Sequence, residues 1–175
     1  DDIEILELPC SYTTTWNGAS WSNGSPNAST SAVINANYNT NTHGNFESCS
    51  LTVNSGRTVN IRPNTYIIVN NDLTVNGTMQ VRNRGSLLMT DDDAIISVNG
   101  IFRVHKNTTL LNDNNDYTYW SSPVENQNIS SVFASPTYNQ GRLYYWDQSV
   151  PNIIPNGGSE TNGEWIPAAG LTMQN

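Results

Sequence analysis

The chain has 175 residues, of which 13% are charged, and it carries a formal net charge of -8 with a pI near 4.4. That balance predicts no basic stripe for neutralising phosphates and counts against nucleic acid as a partner. No apolar run approaches the ~20 residues needed to span a bilayer, and no basic start with an apolar segment marks a signal peptide, so membrane insertion is not expected.

Asn, Thr and Ser dominate the polar positions, as they do in some disordered chains. Five Trp, eight Tyr and regularly spaced Val and Ile argue instead for ordered β-structure. The length suits one domain or two small ones. The chain opens on Asp1-Asp2-Ile3-Glu4, as a mature or excised segment would. Residues 1–30 read as an N-terminal strand and cap. Ile3, Ile5, Leu6 and Leu8 suit a short strand, and Trp16-Asn17-Gly18 and Trp21-Ser22-Asn23-Gly24-Ser25-Pro26 form two Trp-then-turn units. Their bulky rings are expected to plug the open end of a solenoid.

Cys10 and Cys49 are the only cysteines. Joined, they would tie the N-terminal segment to the first coil, stabilising it by up to ~3 to 4 kcal/mol on the chain-entropy estimate. Two free buried thiols are the alternative, and the secreted-looking composition favours the bridge.

Residues 31–110 carry the repeat. Leu51-Thr52-Val53-Asn54-Ser55, Leu73-Thr74-Val75-Asn76-Gly77 and Ile96-Ser97-Val98-Asn99-Gly100 start 22 and then 23 residues apart, a period that signals a solenoid. In this register Val53, Val75 and Val98 coincide, and so do Val59, Val81 and Val104. Leu51, Val53, Val59 and Ile61 alternate as in a half-buried strand, and Ile67 and Val69 resume the alternation after Pro63-Asn64. Asn and Gly supply the corners because they tolerate positive φ. The prediction is an all-β fold: a short right-handed parallel β-helix of about 22-residue coils, stacked ~4.8 Å apart. Asn54, Asn76 and Asn99 would form a ladder at one corner, and the polar tract from Asn35 to Asn45 would be a corner loop. An antiparallel meander also uses Asn-Gly turns, but it does not require the columns to align.

Residues 111–175 read as an aromatic-rich C-terminal β-unit. Tyr117-Thr118-Tyr119-Trp120, Leu143-Tyr144-Tyr145-Trp146 and Trp165 are its expected strands, with one helical turn near Ile129 to Phe133.

Few motifs carry chemistry. Asp91-Asp92-Asp93 is a weak calcium candidate that matches neither an EF-hand loop nor the nonapeptide repeat, and a solvated corner is the simpler reading. Glycoside hydrolysis needs two carboxylates ~5 to 9.5 Å apart. A 22-residue register instead sets Asp92 beside Asn70 and Asp93 beside Asn71, and leaves Arg57, Arg82 and Arg103 unaligned for lyase chemistry. His43 and His105 lie in Asn/Thr-rich contexts with no partner nucleophile, and exposed polar roles are expected for both. No catalytic residues, resident metal or cofactor are expected. Trp120, Tyr144, Trp146 and Trp165 are candidate ligand-binding aromatics, because such faces stack on sugar rings, although strand alternation requires part of them to be core.

Taken in order, Thr13-Thr14-Thr15-Trp16-Asn17-Gly18, Trp21-Ser22-Asn23-Gly24-Ser25-Pro26, Cys49-Ser50-Leu51-Thr52-Val53-Asn54-Ser55-Gly56, Asn71-Asp72-Leu73-Thr74-Val75-Asn76-Gly77 and Asp116-Tyr117-Thr118-Tyr119-Trp120-Ser121-Ser122-Pro123-Val124 resemble a module of large secreted and surface proteins of flavobacteria and other Bacteroidetes. The resemblance runs from about residue 13 to 146 and implies that the C-terminal β-unit is incomplete here. It implies a non-catalytic structural or adhesive module, extracellular or at the cell surface. Its partners would be the type IX secretion machinery during export, other domains of the same polypeptide and surface glycans. Some such proteins are adhesins connected with gliding. The alternatives are a carbohydrate-binding module and an accessory domain of a polysaccharide-degrading enzyme.

Overall fold

The computed structural model describes residues 10–108, 112–113, 116–120, 126–133, 142–149, 152–153, 159–160 and 163–172. The expected strand over Ile3 to Leu8 lies outside the described residues. The chain divides into two units, Asp1–Leu110 and Leu111–Asn175.

The first unit is a parallel β-solenoid of about five turns. One wall stacks β1 (Tyr12–Trp16), β2 (Thr30–Ile34), β5 (Leu51–Val53), β8 (Leu73–Val75) and β11 (Ile96–Val98). The second stacks β3 (Tyr38–Asn39), β6 (Thr58–Ile61), β9 (Thr78–Val81) and β12 (Ile101–Val104). The third stacks β4 (Phe46–Ser48), β7 (Tyr66–Val69) and β10 (Ser86–Met89). All neighbouring strands within these walls run parallel.

The predicted register holds on the first wall. Val53 pairs with Val75 and Val75 with Val98, and Ile34 extends the column one rung further. Ile34, Val53 and Val75 are completely buried, and Leu51, Leu73, Val59, Ile61, Ile67, Val69 and Met79 fill the same interior. Each such side chain moved out of water is worth ~1.5 to 3 kcal/mol before entropy is counted. β1 is itself the first rung of this wall, so the solenoid starts at Tyr12, inside the segment read as a cap.

On the second wall half of the predicted column holds, the Val81–Val104 step, and the Val59–Val81 step does not. Val59 lies opposite Met79, whereas Val81 lies between Ile61 and Val104. The corner after β5 has four residues, 54–57, while those after β8 and β11 have two, so the offset changes at the corner from 22 to 20. The tighter corners depend on glycine. A Cβ on Gly77 would strike the carbonyl oxygens of Asn54 and Arg57, and one on Gly100 would strike that of Gly77.

The asparagine corner has four stacked positions rather than three, because Asn35 joins below Asn54. Asn54 Nδ2 donates to Asn35 Oδ1 at 3.3 Å, and Asn99 Nδ2 donates to Asn76 Oδ1 at 2.9 Å. The tract expected to be a corner loop holds β3 and one helical turn, α1 (Thr40–His43), capped by the Asn39 side chain. Four residues are too few to leave a helical period in the sequence.

The N-terminal end is closed by aromatics. Trp16, only 5% exposed, packs edge-on against Tyr38 at 5.1 Å, and Trp21 packs against Phe46 at 5.3 Å. The Trp16 indole N–H donates to the Asn37 carbonyl at 3.1 Å. Buried polar groups here are satisfied: the Thr14 hydroxyl donates to the Gly24 carbonyl and accepts from the Asn23 N–H. Cys10 and Cys49 are joined, which anchors the start of the first coil to the residue after β4.

In the second unit, β13 (Tyr144–Asp147) and β16 (Glu164–Pro167) form an antiparallel pair, and so do β14 (Asn152–Ile153) and β15 (Ser159–Glu160). One helical turn, α2 (Ile129–Val132), falls where expected and is capped by Asn128. Residues 116–120 are not a strand, because no described strand pairs with them. Among the described residues, no helix is long and apolar enough to cross a membrane.

Candidate functional site

The four candidate aromatics fall into two groups. Trp146 and Trp165 are cross-strand partners on β13 and β16, with ring centroids 5.2 Å apart, and Tyr119 joins Trp165 at 5.8 Å. Tyr144 lies two residues from Trp146 on the same strand face, opposite Pro167. Trp120 stands apart from them and packs edge-on against Phe133 at 5.8 Å. Trp146 and Trp165 are 47% and 46% exposed, so each keeps an open portion of its ring. The other side of Trp146 covers Gly163, whose φ of +76° and missing Cβ let the indole lie on the backbone. Nearby, Asp147 accepts from the Ser149 hydroxyl and N–H, which lowers its pKa below the ordinary carboxylate value.

The Asp91–Asp93 cluster does not stand where the 22-residue register put it. Thr90 occupies the place opposite Asn70 and donates to Asn70 Oδ1 at 3.0 Å. The Ile95 N–H reaches Asp72 Oδ1 at 3.0 Å. Residues 91–94 therefore take the place of Asn71 as an outward extension. Asp91 Oδ1 accepts from the Asp93 N–H at 2.9 Å, a local turn. Among the described residues no three His, Cys, Asp or Glu side chains converge as a metal site.

The two histidines have aromatic or basic neighbours that their sequence contexts did not signal. The His43 ring lies 4.7 Å from Trp16 and 5.3 Å from Tyr38. With Trp16 and Trp21 it floors a shallow open groove of about 470 Å³, rimmed by the hydroxyls of Ser20, Ser25 and Thr42. No carboxylate lines that groove, so it offers ring faces and neutral hydroxyls rather than acid–base chemistry. Below it the buried Tyr38 hydroxyl donates toward the carbonyls of His43 and Gly44, and burial raises its pKa to about 12.

His105 belongs to a column that the sequence register concealed. Arg62, Arg82 and His105 each follow the last residue of β6, β9 and β12 and stand on successive rungs. Arg82 donates from Nε to Asn60 Oδ1 at 3.2 Å, and its Nη1 lies 3.4 Å from His105 Nε2. Partial burial and the charges of Arg82 and Arg103 hold the His105 pKa below its ordinary value. In the adjacent column Asn60, Gln80 and Arg103 are in register, and Gln80 Oε1 is buried without a hydrogen-bond partner. Two arginines thus stack on adjacent rungs, a local feature that the overall charge did not signal. Six of the seven Lys and Arg lie between Arg57 and Lys106, on a chain that is acidic as a whole. The signal for the column was the recurrence of Arg at 62 and 82, a spacing of 20 rather than 22.

These features define a short parallel β-solenoid with an aromatic-sealed, disulfide-anchored start and a separate aromatic unit. The chain belongs to the family described as Domain of unknown function (DUF8693), whose model matches residues 10–175. No curated protein and no solved structure matches the chain.

Proposed function

We propose that this protein is a non-catalytic structural or adhesive module of a secreted or cell-surface bacterial protein. The observation that carries the reading is the ladder. The interior strands β2, β5, β6, β7, β8 and β9 are each paired on both edges, around a shared apolar core. Opening one of them requires breaking two ladders and exposing core at once, so local opening is costly and the unit is stiff. The Cys10–Cys49 bridge suits an oxidising exterior. Export by the type IX pathway, with its machinery as a transient partner, rests on the resemblance of the ordered Trp-turn and Leu-Thr-Val-Asn motifs.

Native-state hydrogen exchange tests the mechanical part. The Val53 and Val75 amides should exchange only through global unfolding of the solenoid. Exchange at the rate of loop amides would defeat the spacer role.

A second reading, carbohydrate binding, is favoured by the half-exposed Trp146 and Trp165 with Tyr119 beside them. Saturable binding on a glycan array, lost in Trp146→Ala with the fold intact, would favour recognition over scaffolding.

A further inference from the structure

The Arg62–Arg82 step of this column is electrostatically unfavourable as it stands. Like charges on adjacent parallel strands repel, and the repulsion is relieved only by screening or by an anionic partner. Both contacts of Arg82, the Asn60 amide oxygen and the His105 ring, are uncharged acceptors. Among the described residues Arg62 and Arg103 have no carboxylate partner. Arg103 stands one column over, in register with Gln80, and Arg84 and Lys106 are exposed immediately beyond the same corner. Positive charge is therefore concentrated along one edge of the solenoid, where it costs stability.

We propose that this edge is a binding site for an anionic polysaccharide, its carboxylate or sulfate groups lying against the stacked Arg62 and Arg82 and the exposed Arg103, with the uncharged His105 ring as a hydrogen-bonding neighbour. The match is one of repeat and chemistry. Rungs recur every ~4.8 Å, about the length of one pyranose residue, so an extended acidic polysaccharide can lie along the edge with its anions within reach of the arginines. Guanidinium groups bind the oxygens of carboxylate or sulfate through paired N–H donors. The neighbouring Asn60 and Gln80 amides, half-buried on the same face, suit the hydroxyls that separate those anions. Duplex DNA, with about one charge per 1.7 Å of axis, is repelled by a chain of net charge -8 more strongly than a polysaccharide bearing at most one anion per sugar.

The proposal deepens the adhesive part of the function given above and rests on it for its biological setting. The exchange experiment on Val53 and Val75 is independent of it, so either can fail alone. The test uses the whole chain with polygalacturonate and chondroitin sulfate as probes, and with dextran and duplex DNA as controls. At least one acidic polysaccharide should bind saturably and dextran should not. Affinity should fall at least about tenfold between about 50 and about 200 mM salt. The double variant Arg62→Gln/Arg82→Gln should lose binding by a similar factor with its melting temperature retained. Arg57→Gln, changed at the other end of β6, should bind as the parent does. If the double variant fails to fold, Arg103→Gln, an exposed position, must still weaken binding. Absence of binding to both acidic probes at low salt, unchanged affinity in the Arg variants, or DNA binding as tight as the polysaccharides would overturn the assignment.

Discussion

The two units use tryptophan in opposite ways. In the solenoid, Trp16 is 5% exposed, wedged among Trp21, Tyr38 and His43 at the mouth of a core that continues through several stacked rungs. In the second unit Trp146 and Trp165 face each other across a two-stranded pair and remain nearly half exposed. The residue type is the same, so the difference comes from layering. A parallel stack supplies neighbours above and below each side chain, whereas an isolated antiparallel pair supplies them on one side only.

That contrast is broken most directly by cutting into each unit. Leu73→Ala removes a side chain that is 1% exposed and should cost ~2 to 5 kcal/mol, read from urea unfolding of the solenoid amides. Trp165→Ala should leave the same amides within ~0.5 kcal/mol of the parent. Equal effects would mean that the units share one core. Next in size is the bridge. Cys10→Ser/Cys49→Ser opens a closure of 39 residues in sequence and should cost up to ~4 kcal/mol on the loop-entropy estimate, seen as a lowered melting temperature.

Tyr38 sharpens the comparison through pH. Its hydroxyl is held protonated to about 12 in the fold, whereas the unfolded chain releases that proton near 10. The stabilisation is complete below pH 10 and is lost as pH rises toward 12, by at most ~2 to 3 kcal/mol. Tyr38→Phe should abolish that alkaline slope. The smallest effect belongs to His105. Its lowered pKa contributes stability above the ordinary value of 6.5 that is lost as pH falls below it. A shallow acid-side decline should therefore be absent in His105→Gln.

Much of the solenoid was legible because inward side chains recur with both the coil period and the strand period. The Leu51, Leu73 and Ile96 segments announce their own stacking, and the observed pairing follows them residue for residue. What the register of the solenoid walls concealed comes from one corner. The corner between Val53 and Thr58 is two residues longer than its counterparts, and a slip of two preserves which side chains point inward. Val59 and Met79 therefore fill the same role without any break in the apolar alternation. The same slip concealed Arg62 above Arg82 and placed Asp92 wrongly beside Asn70. In the second unit, Tyr117 to Trp120 looked strand-like from composition, but a strand is made by its partner, and residues 116–120 have none among those described.

The four residues 91–94 standing where Asn71 stands one coil earlier show how this architecture accepts change. Extra chain is extruded sideways at a bend, while Leu73 still meets Ile96 and Ile67 still meets Leu87. Because closure entropy grows only slowly with loop length, a foreign peptide spliced between Asp92 and Asp93 should be displayed at little thermodynamic penalty. Bends of this kind let such a rod vary its outward decoration, and hence what it touches, without altering its girders.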